Sequence, residues 1–202
     1  MVFMQNNPIS RFRRRLKLGK IAKMVRAGIV PRDVDRETIY EALKVTRPSG
    51  KTEAFGFLYA RHFRDGKLLE DLGLQGCKEI TSEFVEYLVD AMMDSAVVMD
   101  DFDKHAQGDG STAETDSQTA LVNQQSTRRT GSQTHGATSN IYRSVATITA
   151  IAAYTAIEHG IFDSMTATTD IMLDRTLVGS PPNLVTDDEV EWTYELTINA
   201  GG

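Results

Sequence analysis

Val190-Glu191-Trp192-Thr193-Tyr194-Glu195-Leu196-Thr197-Ile198 is the stretch that decides the fold of this chain. Its even positions are Val190, Trp192, Tyr194, Leu196 and Ile198; its odd positions are Glu191, Thr193, Glu195 and Thr197. Successive side chains of a strand point to opposite faces. A period of two therefore predicts a strand with one apolar face on a core and one polar face in water. The single tryptophan of the chain lies on the apolar face. It is expected between two sheets, with Tyr194 and Leu196 beside it.

Working outward, Ile141–Ala150, Ile157–Phe162 and Ile171–Val178 read as further strands, each followed by a break. Such spacing points to a sandwich or barrel. Phe55–Phe63 is rich in aromatics and is followed by Asp65-Gly66, the residue pair that a tight hairpin turn requires at its two positive-φ positions. Lys67–Leu69 is expected to return as the second strand, with Gly73 and Gly76 as breaks. Thr81 reads as an N-cap. Phe84, Val85, Leu88, Val89 and Met92 then recur at helical spacing, which predicts a helix over Ser82–Asp94. Val97–Phe102 reads as a strand. Gln107–Thr138 is rich in Ser, Thr, Gln, Asn and Gly and reads as exposed connections, with a short strand at Thr119–Asn123.

Residues 1–32 hold nine Lys or Arg and no Asp or Glu, although the whole chain of 202 residues has a net charge of −6. The remaining residues therefore carry −15. Leu18, Ile21, Ala22 and Val25 sit at helical spacing before Gly28 and Pro31, which predicts a short basic helix over Lys20–Ala27. A second helix is expected over Arg36–Lys44, and Arg47-Pro48-Ser49-Gly50 reads as a linker. The fold class is thus mainly β with helices (α+β). An antiparallel, jelly-roll-like β-sandwich body at 51–202 carries a β-hairpin and one amphipathic helix, and it follows a basic arm with short helices at 1–50.

The basic residues Arg11, Arg13, Arg14, Arg15, Lys17, Lys20, Lys23 and Arg26 are the candidate partner-binding set. Such a segment suits an acidic protein surface, or nucleic acid through phosphate neutralisation, or simply water. Phe12, Leu16, Ile21 and Val25 among the charges indicate that it packs as well as attracts.

Chemistry is sparse. Glu158-His159 near Asp163 suggests an acid and a base, but neighbours on a strand face opposite ways and no nucleophile accompanies them. Asp101-x-Asp103-x-His105 begins like a calcium loop; Ala106 then stands where that loop needs glycine, and Thr112 where it needs glutamate. The acidic cluster of Asp100, Asp101, Asp103, His105 and Asp109 reads as a solvated rim. Gly108–Thr112 lacks the lysine of a phosphate loop and reads as a turn. Cys77 has no partner in sequence and reads as a small inert side chain. No cofactor, metal or enzymatic activity is expected. The run Val145–Ile157 is too short and too β-prone for a membrane span, and no apolar run after the basic start suggests a signal peptide.

Ser139-Asn140-Ile141-Tyr142-Arg143, Glu158-His159-Gly160-Ile161-Phe162, Leu173-Asp174-Arg175-Thr176, and Thr193–Thr197 with Ala200-Gly201-Gly202 together resemble a family of tailed-bacteriophage virion proteins. The resemblance begins near Leu69–Gly73, strengthens after residue 108, and leaves out the arm before Pro48. It implies a structural part of the particle, made in the bacterial host cytoplasm and located in the virion. Capsid-associated decoration (cement) protein is the first expectation, with a neck, connector or tail ring component as the alternative. The implied partners are other virion proteins, in a homo-oligomer or symmetric assembly; a nucleic-acid-binding role for the arm is a further alternative. Asp174 and Arg175, if near Glu158, offer ion pairs across strands.

Overall fold

The computed structural model describes residues 17–25, 34, 38–39, 41–42, 53–78, 80–93, 101–167 and 170–199. The chain is mainly β. Strands β1 (Glu53–Arg64), β2 (Lys67–Lys78), β5 (Ser132–His135), β6 (Ile141–Thr149) and β11 (Glu189–Asn199) form an antiparallel sheet in the order β2-β1-β11-β6-β5. Strands β3 (Lys104–Gly108), β4 (Arg129–Thr130), β8 (Glu158–Phe162) and β9 (Met172–Leu177) form a second sheet in the order β4-β3-β8-β9. The short pair β7 (Tyr154–Thr155) and β10 (Asn183–Leu184) closes one end.

β11 sits at the centre of the five-stranded sheet, and its register follows the period-two reading. Trp192 and Tyr194 are fully buried, and Leu196 nearly so. Trp192 packs with Leu58, Ala60, Ile148 and Val190. Tyr194 and Leu196 pack with Phe84 of the 82–93 helix, with Ile161 and Leu173 of the facing sheet, and with Phe102 just before β3. The polar face of β11 departs from expectation: Glu195 and Thr197 are buried rather than in water. They lie opposite Phe57 and Phe55 of β1, on the face that the N-terminal helix covers. Residues 17–25 are helical, so the helix is already formed three residues before its expected start, and its ends lie outside the described residues. Leu18, Ile21, Ala22 and Val25 form one cluster with Ile39, Ala42, Phe55, Phe57 and Cys77. The five-stranded sheet is therefore covered on its second face around Phe55, Phe57 and Cys77, while Glu191 and Thr193 farther along that face are only half-buried. Of the second expected helix, Thr38, Ile39, Glu41 and Ala42 are helical; the 47–50 linker lies outside the described residues.

The hairpin turns where expected, with φ of 52° at Asp65 and 68° at Gly66. Gly73 and Gly76 do not end its second strand. β2 continues to Lys78 through three register shifts, which let its ladder absorb extra residues. Gly76 faces the other sheet, where an added Cβ would collide with the Thr176 methyl group. The Ser82–Met93 helix begins at Thr81, whose Oγ1 accepts from Phe84 N at 3.2 Å and donates to Met172 O. This N-cap joins the helix to β9.

Three expectations for the middle of the chain are corrected. Phe102 is not in a strand, and 97–100 lie outside the described residues. Thr119–Asn123 is not a strand either, because the N–H groups of Val122 and Asn123 go to the Glu158 carboxylate instead of a ladder. The polar stretch 107–138 is not all exposed connection: it contributes β4 and β5 and buries Ser126 and Arg128. The acidic rim is likewise overturned at its centre. Asp103 and His105 are buried, and β3 begins between them. Among the described residues no helix is long and apolar enough to cross a membrane.

Candidate functional site

The interior between the two sheets is unusually polar. His105 on β3 and His159 on β8 place Nδ1 and Nε2 3.1 Å apart, and His105 Nε2 lies 2.8 Å from Ser144 Oγ on β6. All three residues are essentially inaccessible. The His159 ring stands 4.8 Å from the Trp192 ring. Trp192 Nε1 donates to Gln107 Oε1 at 2.6 Å, and Gln107 Nε2 donates to the Tyr154 hydroxyl. Burial pushes the His105 pKa down to about 3. Burial and then the neighbouring His105 hold His159 well below its ordinary value. Both rings are therefore neutral at pH 7, and each N···N or N···O contact is a single shared proton. Tyr194 donates to Asp174 Oδ2 at 3.0 Å, and Thr176 Oγ1 donates to Asp174 Oδ1 at 2.9 Å. Burial and then the adjacent carboxylate raise the Tyr194 pKa well above its ordinary value.

Ser144-His105-His159 has the composition of a nucleophile–base relay. Its three side chains are enclosed between the sheets. Gly131 lies against Ser144 Oγ and His105 so closely that a Cβ there would collide with both. The relay fastens β3, β6 and β8 together.

Glu158 faces the other way from His159, as the strand geometry predicts. Its carboxylate accepts from Arg175 Nε at 2.6 Å, Gly110 N at 3.1 Å, Val122 N at 3.0 Å and Asn123 N at 2.7 Å. Arg175 also donates to Thr112 O and Gln118 Oε1 through Nη1. Both side chains are fully enclosed. This buried pair orders the 109–123 connection over the outer face of the second sheet. Of the two charged residues Asp174 and Arg175, only Arg175 meets Glu158; Asp174 points to Tyr194.

The exposed chemistry lies elsewhere. On the helix at 17–25, Lys17, Lys20 and Lys23 are exposed while Leu18, Ile21, Ala22 and Val25 are buried. The structure thus aligns three of the expected partner-binding residues in one outward row. Arg11, Arg13, Arg14, Arg15 and Arg26 lie outside the described residues. A groove of about 610 Å³ opens on the same face of the five-stranded sheet, bordered by Tyr59, Arg61, Asp71, Arg143, Glu191 and Glu195. Arg61 pairs with Glu191, and Arg143 with Glu195 at 2.6 Å, which leaves Asp71 as an additional acid on its border. The sequence carried a signal for this groove. Glu191, Thr193 and Glu195 share one face of β11, and Arg61 and Arg143 lie on strands that could flank it.

Among the described residues no group of three His, Cys, Asp or Glu side chains could hold a metal ion. No family model matches the sequence, and no curated protein or solved structure matches it either.

Proposed function

We propose that this chain is a structural protein of a tailed-bacteriophage particle. In this reading it is a capsid-associated decoration subunit, with a jelly-roll-like body seated on the shell and a basic arm as the tether. The carrying observation is the outward row of Lys17, Lys20 and Lys23 on a helix whose other side is anchored in the body. A cationic surface fixed to a rigid scaffold suits attachment to an acidic neighbour. The side chains with acid–base capacity support the same reading, since His105, His159, Glu158 and Asp174 are enclosed and engaged with one another or with backbone. The resemblance of the sequence motifs to those of virion proteins suggests the particle.

A neck, connector or tail ring of the same particle is the second reading. It is favoured by the exposed apolar face of the Ser82–Met93 helix, which suits contact between subunits. Counting copies of the chain in purified particles separates the two: a shell lattice needs many, a ring a small symmetric number. Co-sedimentation of a Lys17→Gln/Lys20→Gln/Lys23→Gln variant with particles lacking the chain tests the tether. Weakened binding with reduced salt sensitivity is expected. Unchanged binding at every salt concentration overturns it. Tight binding of the purified chain to bare DNA, with a steep salt dependence, would replace it with the nucleic-acid reading.

A further inference from the structure

The Ser82–Met93 helix buries Phe84 and Tyr87 and turns a second apolar row outward. Val85 and Val89 are each 45% exposed, Met92 73% and Met93 80%. These positions fall at i, i+4, i+7 and i+8, one continuous helical face. Glu86 and Asp90, both exposed, border it. Residues 80–103 contain seven Asp or Glu and no Lys or Arg. The apolar row therefore has an acidic border at Glu86 and Asp90. Exposed valines and methionines at helical spacing match the adaptable apolar surfaces that take a partner helix.

The same chain carries the complement. The helix at 17–25 exposes Lys17, Lys20 and Lys23 together with Met24, and residues 1–32 lack any acid. The two helices cannot meet within one copy. The 17–25 helix packs on the face of the five-stranded sheet that carries Phe55, Phe57 and Cys77. The Ser82–Met93 helix packs on the opposite face, with Tyr194 and Leu196. Odd and even positions of antiparallel strands in register separate these faces throughout β1 and β11.

We infer that the Val85-Val89-Met92 face of one copy docks on the Lys17-Lys20-Lys23-Met24 face of a second copy. The two surfaces are unlike and lie on opposite sides of the body, so the contact is head-to-tail. Repeated, it closes into a ring or runs into an open array. The inference makes the acidic neighbour of the lysine row a second copy of the chain; it rests on the reading of the chain as an assembling subunit and favours the ring form of that reading over the shell tether. Its test needs only purified protein.

Sedimentation velocity of the full chain, across concentration and salt, reads the contact. Wild-type protein is expected to self-associate at low salt and to weaken as salt rises. Glu86→Lys/Asp90→Lys and Lys17→Glu/Lys20→Glu/Lys23→Glu are each expected to weaken self-association by about tenfold or more. All five side chains are exposed, so circular dichroism should be unchanged. Mixing the two variants restores association, because each then presents a face complementary to the other. Val85→Ser/Val89→Ser should weaken association with its salt dependence retained. A wild-type chain that stays monomeric at low salt overturns the inference, as does a charge-reversed variant that associates like wild type, or a mixture that does not. Each of these three results leaves the virion reading to the copy-number measurement.

Discussion

Trp192 donates its indole N–H to Gln107 Oε1 at 2.6 Å, joining the central strand of one sheet to β3 of the other. An aromatic side chain thus spans the core and satisfies a buried amide at its far end. Such a bond matters most through what its loss leaves behind, a buried acceptor without a donor.

Trp192→Phe should therefore cost more than its lost area suggests. About 1–3 kcal/mol is expected from the stranded Gln107 oxygen. Trp192→Ala should cost about 3–5 kcal/mol through the cavity. Urea unfolding monitored by far-UV circular dichroism checks both; a Phe variant as stable as wild type would remove the bond from the account.

His105 and His159 predict acid sensitivity. Burial lowers both folded pKa values below the ordinary histidine value, to about 3 for His105. Between about pH 6.5 and the folded values, the unfolded chain binds protons that the folded chain does not, so stability rises with pH. The contribution is fully present above about pH 6.5 and declines below it, by up to about 1.4 kcal/mol per pH unit for each ring. Asp188 adds a second window lower down. Hydrogen bonds from Arg64, chiefly, hold its carboxyl well below the usual range despite burial. Its contribution is present above about pH 4 and lost as pH falls further. A His105→Gln/His159→Gln chain should show a flatter profile between pH 6.5 and 4. An identical slope would mean the rings titrate normally.

Glu158→Gln should destabilise by about 3–5 kcal/mol, since it leaves Arg175 charged and enclosed without its partner. The loss should be felt locally as well. Amide exchange at Gly110, Val122 and Asn123 should accelerate more than at β11. Uniform change across the chain would deny Glu158 its role in ordering the 109–123 connection.

Two glycines should respond in opposite directions to alanine. A Cβ at Gly56 would collide with the Asp174 carboxylate and the Tyr194 hydroxyl, so Gly56→Ala should cost about 1–3 kcal/mol. A Cβ at Gly19 meets nothing within 4 Å, and Gly19 is helical. Gly19→Ala should therefore stabilise by about 0.5–1 kcal/mol through helix propensity. Thermal melts of the two variants compare them; a stabilised Gly56→Ala chain would show that the sheet interface has room to relax.

What the sequence determined by itself were the features whose causes are local. The register of β11 follows from side chains alternating along one strand. The Asp65-Gly66 turn follows from the φ values its residues tolerate, and the start of the Ser82–Met93 helix from the Thr81 hydroxyl. The opposed directions of Glu158 and His159 follow from the same alternation. Tertiary structure decided the rest. β3 reads Lys-His-Ala-Gln-Gly, a surface-like string. It is interior because Ser144, His159, Trp192 and Tyr154, all remote in sequence, satisfy its polar atoms. Glu195 and Thr197 on the polar face of β11 are enclosed beside Phe57 and Phe55, where a helix more than 160 residues earlier covers the sheet. Alternation separates two faces of a strand, and it marks the wet one only where water is the second neighbour. Where both neighbours are protein, a polar residue inside is paired by a partner that only the folded chain brings near.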